Sequence, residues 1–242
     1  MGQMETKPGG QRTMLKNILI TPNKQRGNVI QAFSDSVLRA SARVREYLEF
    51  CDPRGRFHLS PGALEEIFLM SCISRSAQLQ MSDSFSCTAM SREQKVLLGA
   101  DWVWTFPERH GEALEAQIVV RVLYSLDDTI PPPEAPEESL RIAEMASGQW
   151  SRPERMVRFC SSIGRDCYAL FLFFGSRNDP GSISGLLSNN LHAALGKGAT
   201  IDRAFLEHFF KGSMSFSTPG EMLERINQKQ RNDPLTMLIR FT

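Results

Sequence analysis

Apolar positions between Asn28 and Phe50 recur three and four residues apart: Ile30, Phe33, Val37, Ala40, Val44 and Tyr47 make one stripe. Such a stripe predicts a helix laid against a core over 28–50. Asp52-Pro53-Arg54-Gly55 breaks the pattern. Ser60-Pro61 restarts it, with a capping hydroxyl followed by a proline suited to the first helical turn. From Leu64 to Ile73 almost every face is apolar, which predicts a central helix. A polar Ser/Met stretch (81–90) follows, and Ser91-Arg92-Glu93-Gln94 has the order of a capping box opening a short helix through Leu98.

The period then drops to two. Trp102, Trp104 and Phe106 alternate with Val103 and Thr105, and Ile118, Val120, Val122 and Tyr124 alternate with Val119, Arg121, Leu123 and Ser125. With turn chemistry at Pro107-Glu108-Arg109-His110-Gly111, this predicts a hairpin over 102–125, although Glu112 to Ala116 could open a helix instead. Pro131-Pro132-Pro133 and Pro136 make 127–138 an interdomain linker or a long exposed loop. A polyproline ligand is a second reading there, loosely met by Pro133 and Pro136. Residues 138–147 read as a weak helix, and Ser151 with Pro153 opens another. That helix turns Met156, Val157, Cys160 and Ile163 inward and Arg152, Arg155 and Arg158 outward.

Tyr168 to Phe174 is an unbroken apolar run ended by Gly175, suiting a strand buried on both faces. Ser176 to Gly185 reads as loop, and Leu186–Leu195 and Ile201–Phe210 as two short helices around Gly196-Lys197-Gly198. Thr218-Pro219-Gly220-Glu221 combines a cap, a proline at the first position and a capping-box acid. Leu235 to Phe241 alternates as a terminal strand. The sum is an α+β chain, helix-rich, with a small, mainly antiparallel sheet whose strands lie near 102–106, 117–125, 167–174 and 235–241. Residues 1–27 form a flexible basic arm and 28–242 a single globular domain, with 127–138 as the alternative point of subdivision.

Composition narrows the class. The 242 residues are 41% hydrophobic and include 15 Phe, enough for a substantial core. A net charge of +1 excludes a protein that binds polyanions by being basic throughout, so any such site must come from local clustering. The five cysteines have no framework spacing, and Cys72 and Cys160 sit among apolar neighbours. Reduced, buried thiols in a cytoplasmic protein are the economical reading, with a nuclear one left open. The polar N-terminus lacks a signal-peptide core, so secretion is not expected. The apolar run 168–174 falls far short of the ~20 residues needed to span a bilayer.

Gly2 after the initiator and Thr6 fit the pattern for N-myristoylation. Lys7, Arg12, Lys16, Lys24 and Arg26 stand against Glu5 alone, and a basic arm beside one acyl chain is the usual second signal for an anionic membrane surface. An ordinary N-terminus carries the same residues without either role. Candidate polyanion contacts are Lys7, Arg12 and Lys16, the row Arg39, Arg43 and Arg45, and the row Arg152, Arg155 and Arg158. Each row also reads as a solvated helix face, or as the complement of the acidic segment 127–144.

Catalytic patterns fail on inspection. Gly181-Ser182-Ile183-Ser184-Gly185 puts its serines at the wrong places for a nucleophile elbow, and Gly196-Lys197-Gly198 lacks both flanks of a phosphate-binding loop. His58, His110, His192 and His208 have no metal-ligand spacing. No catalytic residue, metal or cofactor is assigned; a composite site would draw on His110, His192 and Cys167. The expectation is a non-enzymatic adaptor or matrix-like assembly protein acting through a protein partner or self-association, with the acylated arm as an optional membrane tether. An RNA-binding protein using the arm and the arginine rows is the first alternative, and an enzyme of unrecognised type the second.

Overall fold

A computed structural model describes residues 22–54, 56, 59–81, 83–107, 115–124, 138–176, 179–191, 215–228 and 233–242, with side chains from Val29 onward. Among them six helices and six strands follow in the order α1 (Pro22–Leu48), α2 (Pro61–Gln78), β1 (Ser86–Ala89), α3 (Arg92–Leu98), β2 (Trp102–Phe106), β3 (Ala116–Tyr124), α4 (Glu138–Ser147), α5 (Arg152–Ile163), β4 (Cys167–Phe174), β5 (Ile183–Ser188), α6 (Pro219–Gln228) and β6 (Thr236–Arg240).

The strands form one sheet in chain order, β1 to β6. Every neighbouring pair is antiparallel except β3 and β4, which run parallel from Gln117 opposite Cys167 to Tyr124 opposite Phe174. A parallel pair needs a crossover, and the segment holding α4 and α5 supplies it. Alternation along the strands divides the core in two. Trp102, Trp104, Ile118, Val120, Tyr168, Leu170, Leu172 and Phe174 face α1, α2 and α6. Val103, Val119, Ala169, Phe171 and Phe173 face Met156, Val157 and Cys160 of α5. The first core joins Phe33 of α1 to Phe241, so residues on both sides of 127–138 pack together.

The α+β class holds, as do the helices opened by Ser60, Ser91, Ser151 and Thr218. The capping boxes expected at Ser91–Gln94 and Thr218–Glu221 are formed, the latter with hydrogen bonds of 2.7 and 3.2 Å, and Ser151–Glu154 forms a further one. The hairpin is β2 with β3, its second strand beginning at Ala116. Other readings need correction. The helix expected from Asn28 to Phe50 begins at Pro22 and ends at Leu48. Ser86–Ala89, inside the polar stretch, is an edge strand: it pairs with β2 and buries none of its four residues.

The loop to Gly185 and the helix from Leu186 are replaced through Ser188 by β5, which pairs antiparallel with β4 and β6. Its Leu186 faces one core, and Ile183 and Leu187 the other, so pairing and two-sided burial override the helical spacing. Helix α2 is not central: the sheet holds the middle, and Met70 and Ile73 on α2 are 60% and 48% exposed. Ile163, expected to face inward, is 53% exposed at the end of α5. The segment 127–137 and the helix expected at 201–210 lie outside the described residues.

Candidate interaction surface

Ser151 and Glu154 start α5 with reciprocal cap bonds, which fixes where its arginines emerge. The three then part company. Arg152 is exposed at the first turn. Arg155 is half-buried and donates through Nη1 to the Val96 carbonyl of α3. Burial, with Arg152 and Arg121 nearby, holds its pKa below the ordinary arginine value. Arg158 lies over the Trp150 ring at 4.3 Å, the cation facing the aromatic π-cloud. Trp150 is 49% exposed, in the turn joining α4 to α5.

Together these side chains border an open groove of about 600 Å³ between α3, α4 and α5. Leu97 of α3, Ala146 and Ser147 of α4, and Phe159, Ser161 and Ser162 of α5 also line it, and among the described residues none of the lining is acidic. Ile142, one helical turn before Ala146, and Met145 are 57% and 77% exposed on α4. Gly99 makes the assembly possible. It ends α3 at φ +70°, and a Cβ there would sit 2.0 Å from the Arg152 carbonyl oxygen, so only glycine lets α3 close on the first turn of α5.

A second apolar area lies on the opposite layer, where Leu38 of α1 and Met70 and Ile73 of α2 are exposed. Arg75 of α2 bonds Asp35 of α1 at 2.6 Å. The arginine row of α1 is largely engaged within its own helix: Arg43 pairs with Glu46 and Tyr47, and Arg45 with Glu49 at 2.7 Å, while Arg39 is exposed.

The densest cluster of charge serves the fold. Asp101 accepts from the Val122 backbone N–H at 2.8 Å and from Arg121 at 3.1 Å. Lys95 lies 3.6 Å from Asp101 and also pairs with Glu65 of α2. The Tyr124 hydroxyl sits 2.7 Å from the Pro61 carbonyl, to which it donates, and 3.0 Å from Glu65. Burial and the nearby Asp101 raise the Glu65 pKa, against the lowering effect of Lys95 and Tyr124. Two acids and two bases balance here, which suits a clamp between α2, α3 and β3.

Gly2, Lys7, Arg12 and Lys16, like His58, His110, His192 and His208, lie outside the described residues. Cys167 is buried beside Cys160, whose thiol is pushed up by Cys167 and burial. Among the described residues no group of three or more His, Cys, Asp or Glu could hold a metal ion, and no helix is long and apolar enough to cross a membrane. Trp150 was not singled out from the sequence. Its signal was there: one large aromatic in the polar turn Gly148-Gln149-Trp150-Ser151.

The chain matches the family described as Rab15 effector over residues 19–237, which takes in α1 and runs into β6. The chain belongs to the Rab15 effector family. A relative, Rab15 effector protein of Mus musculus, is 27% identical over 181 residues, covering 74% of this chain and 76% of its own. This is an effector family and not a known enzyme family, in keeping with a protein that works through protein contacts. The groove, the α1–α2 face and the charged clamp all fall inside the matched residues, and Gly2 falls outside them.

Proposed function

We propose that this chain is an effector of a Rab-type small GTPase, Rab15 first, which it binds in the GTP-loaded state without catalysing a reaction. The family match over residues 19–237 carries the reading. Small GTPases order their switch segments through the γ-phosphate and release them on hydrolysis. An effector therefore needs a surface complementary to the ordered segments, and any preference for one nucleotide state is its differential affinity for the two. Exposed apolar side chains on α1–α2 and on α3–α4–α5 support this reading, since such patches mark interaction sites.

The test is retention of purified Rab15, loaded with GTPγS or with GDP, on the immobilised chain. Retention of the GTPγS form with little of the GDP form is expected. Equal retention, or none, overturns the reading.

Acylation at Gly2 belongs to the same proposal as a membrane tether, supported by Thr6 and the basic residues 7–26. Intact mass after co-expression with N-myristoyltransferase is expected to rise by about 210 Da; an unchanged mass removes the tether and leaves the effector role standing. The RNA reading has less support, because Arg43, Arg45 and Arg155 already serve partners within the fold.

A further inference from the structure

We infer that the GTPase docks in the groove between α3, α4 and α5, with Trp150 and Arg158 as its anchor; this rests on the effector reading above. Binding energy at protein interfaces concentrates in a few aromatic and arginine side chains set in partly enclosed pockets. Trp150 and Arg158 fit that description before any partner arrives. The ring is half exposed, and the guanidinium lies 4.3 Å over it, so two long side chains already hold one geometry. Pre-ordering of this sort lowers the entropic cost of association. Leu97 and Phe159 give the groove an apolar floor, and Ile142 and Met145 extend the apolar surface along α4.

Charge selects the occupant. Among the described residues lining the groove, Arg155 and Arg158 carry charge and none is acidic. A surface that is apolar at its centre and acidic at its edge complements this, and one-signed patches of this kind also raise the rate of encounter. A second copy of the chain presenting the same face across a two-fold axis would set these arginines against their own copies. The α1–α2 face lacks this bias. Its charge is mixed: Glu46 and Glu49 of α1 pair with Arg43 and Arg45, and Asp35 of α1 pairs with Arg75 of α2. The groove therefore takes the GTPase, and the complementary surface on the GTPase combines apolar switch residues with neighbouring carboxylates.

The three tryptophans give a direct readout. Trp102 and Trp104 are 0% exposed in the core, and Trp150 alone is open to a partner. The full chain labelled with 5-fluorotryptophan is titrated with unlabelled Rab15·GTPγS and followed by ¹⁹F NMR. The Trp150 resonance is expected to shift and lose its solvent isotope effect, while the other two stay in place. In parallel, Trp150→Ala and Arg158→Glu are expected to weaken binding at least about tenfold, and Ile73→Ala on the other face by less than about twofold. Thermal unfolding confirms that each variant is folded, as the exposure of Trp150 predicts. Wild-type binding with an unmoved Trp150 resonance, or with groove variants that bind as well as wild type, overturns the groove and spares the effector reading. No binding by the wild type overturns both. Weakening by Ile73→Ala alone assigns the GTPase to α1–α2 and also overturns the groove.

Discussion

Asp101 is 2% exposed and accepts from the Val122 N–H and from Arg121, with Lys95 at 3.6 Å. Removing it leaves a mostly buried guanidinium and a buried backbone donor without their acceptor. Asp101→Ala is therefore expected to cost about 3–5 kcal/mol, read as a lower urea midpoint at unchanged slope. Glu65, in the same clamp, predicts a pH effect with a definite sign. Its folded pKa is raised, first by burial and then by Asp101, so the folded state binds this proton more tightly than the unfolded chain. The stability it contributes is complete below the ordinary value of 4.5 and is lost as pH rises through the folded pKa. Glu65→Gln, which keeps the shape beside Tyr124, should therefore gain on wild type as pH is raised above 4.5. Denaturation at several pH values checks this, and a difference that stays flat with pH would contradict the raised pKa. None of this clamp was legible from the sequence. Its residues lie in four separate segments, and only the sheet register and the docking of α2 bring them together.

The helix starts were legible because their chemistry is local: Ser60, Ser91, Ser151 and Thr218 each satisfy backbone donors three residues on. Strand β5 was not, because Ile183-Ser184-Gly185-Leu186-Leu187 has no clean period and owes its conformation to β4 on one side and β6 on the other. Edge strand β1 was missed for the opposite reason: it is polar and short, and only pairing with β2 marks it as a strand. The join between α3 and α5 makes the element-scale prediction. Gly99→Ala brings a Cβ to 2.0 Å from the Arg152 carbonyl at a positive φ, so both overpacking and backbone strain apply. A loss of about 2–4 kcal/mol is expected, with a weaker grip on the GTPase in whatever folded protein remains, since Leu97 and Arg155 are set by this contact. An unchanged melting temperature would mean that α3 does not close on α5 in this way.

One sheet, two cores and a groove on the α3–α5 side make up the described body, with exposed apolar side chains on both layers. The sequence supports a protein that works through contacts, and the arginines of α5 were legible as candidates. The role of Arg158 was not, because it depends on Trp150 across a helix start. Of the three arginines expected on the outer side, Arg152 and Arg158 are exposed, Arg158 stacked on a ring, and Arg155 is half-buried and tied to α3. Recognition of the nucleotide state is measured by calorimetric titration of Rab15·GTPγS and Rab15·GDP into the full chain. A preference of at least about tenfold for the GTPγS form, some 1.4 kcal/mol, is the predicted result. Equal affinity for the two forms, or no heat of binding with either, would contradict it.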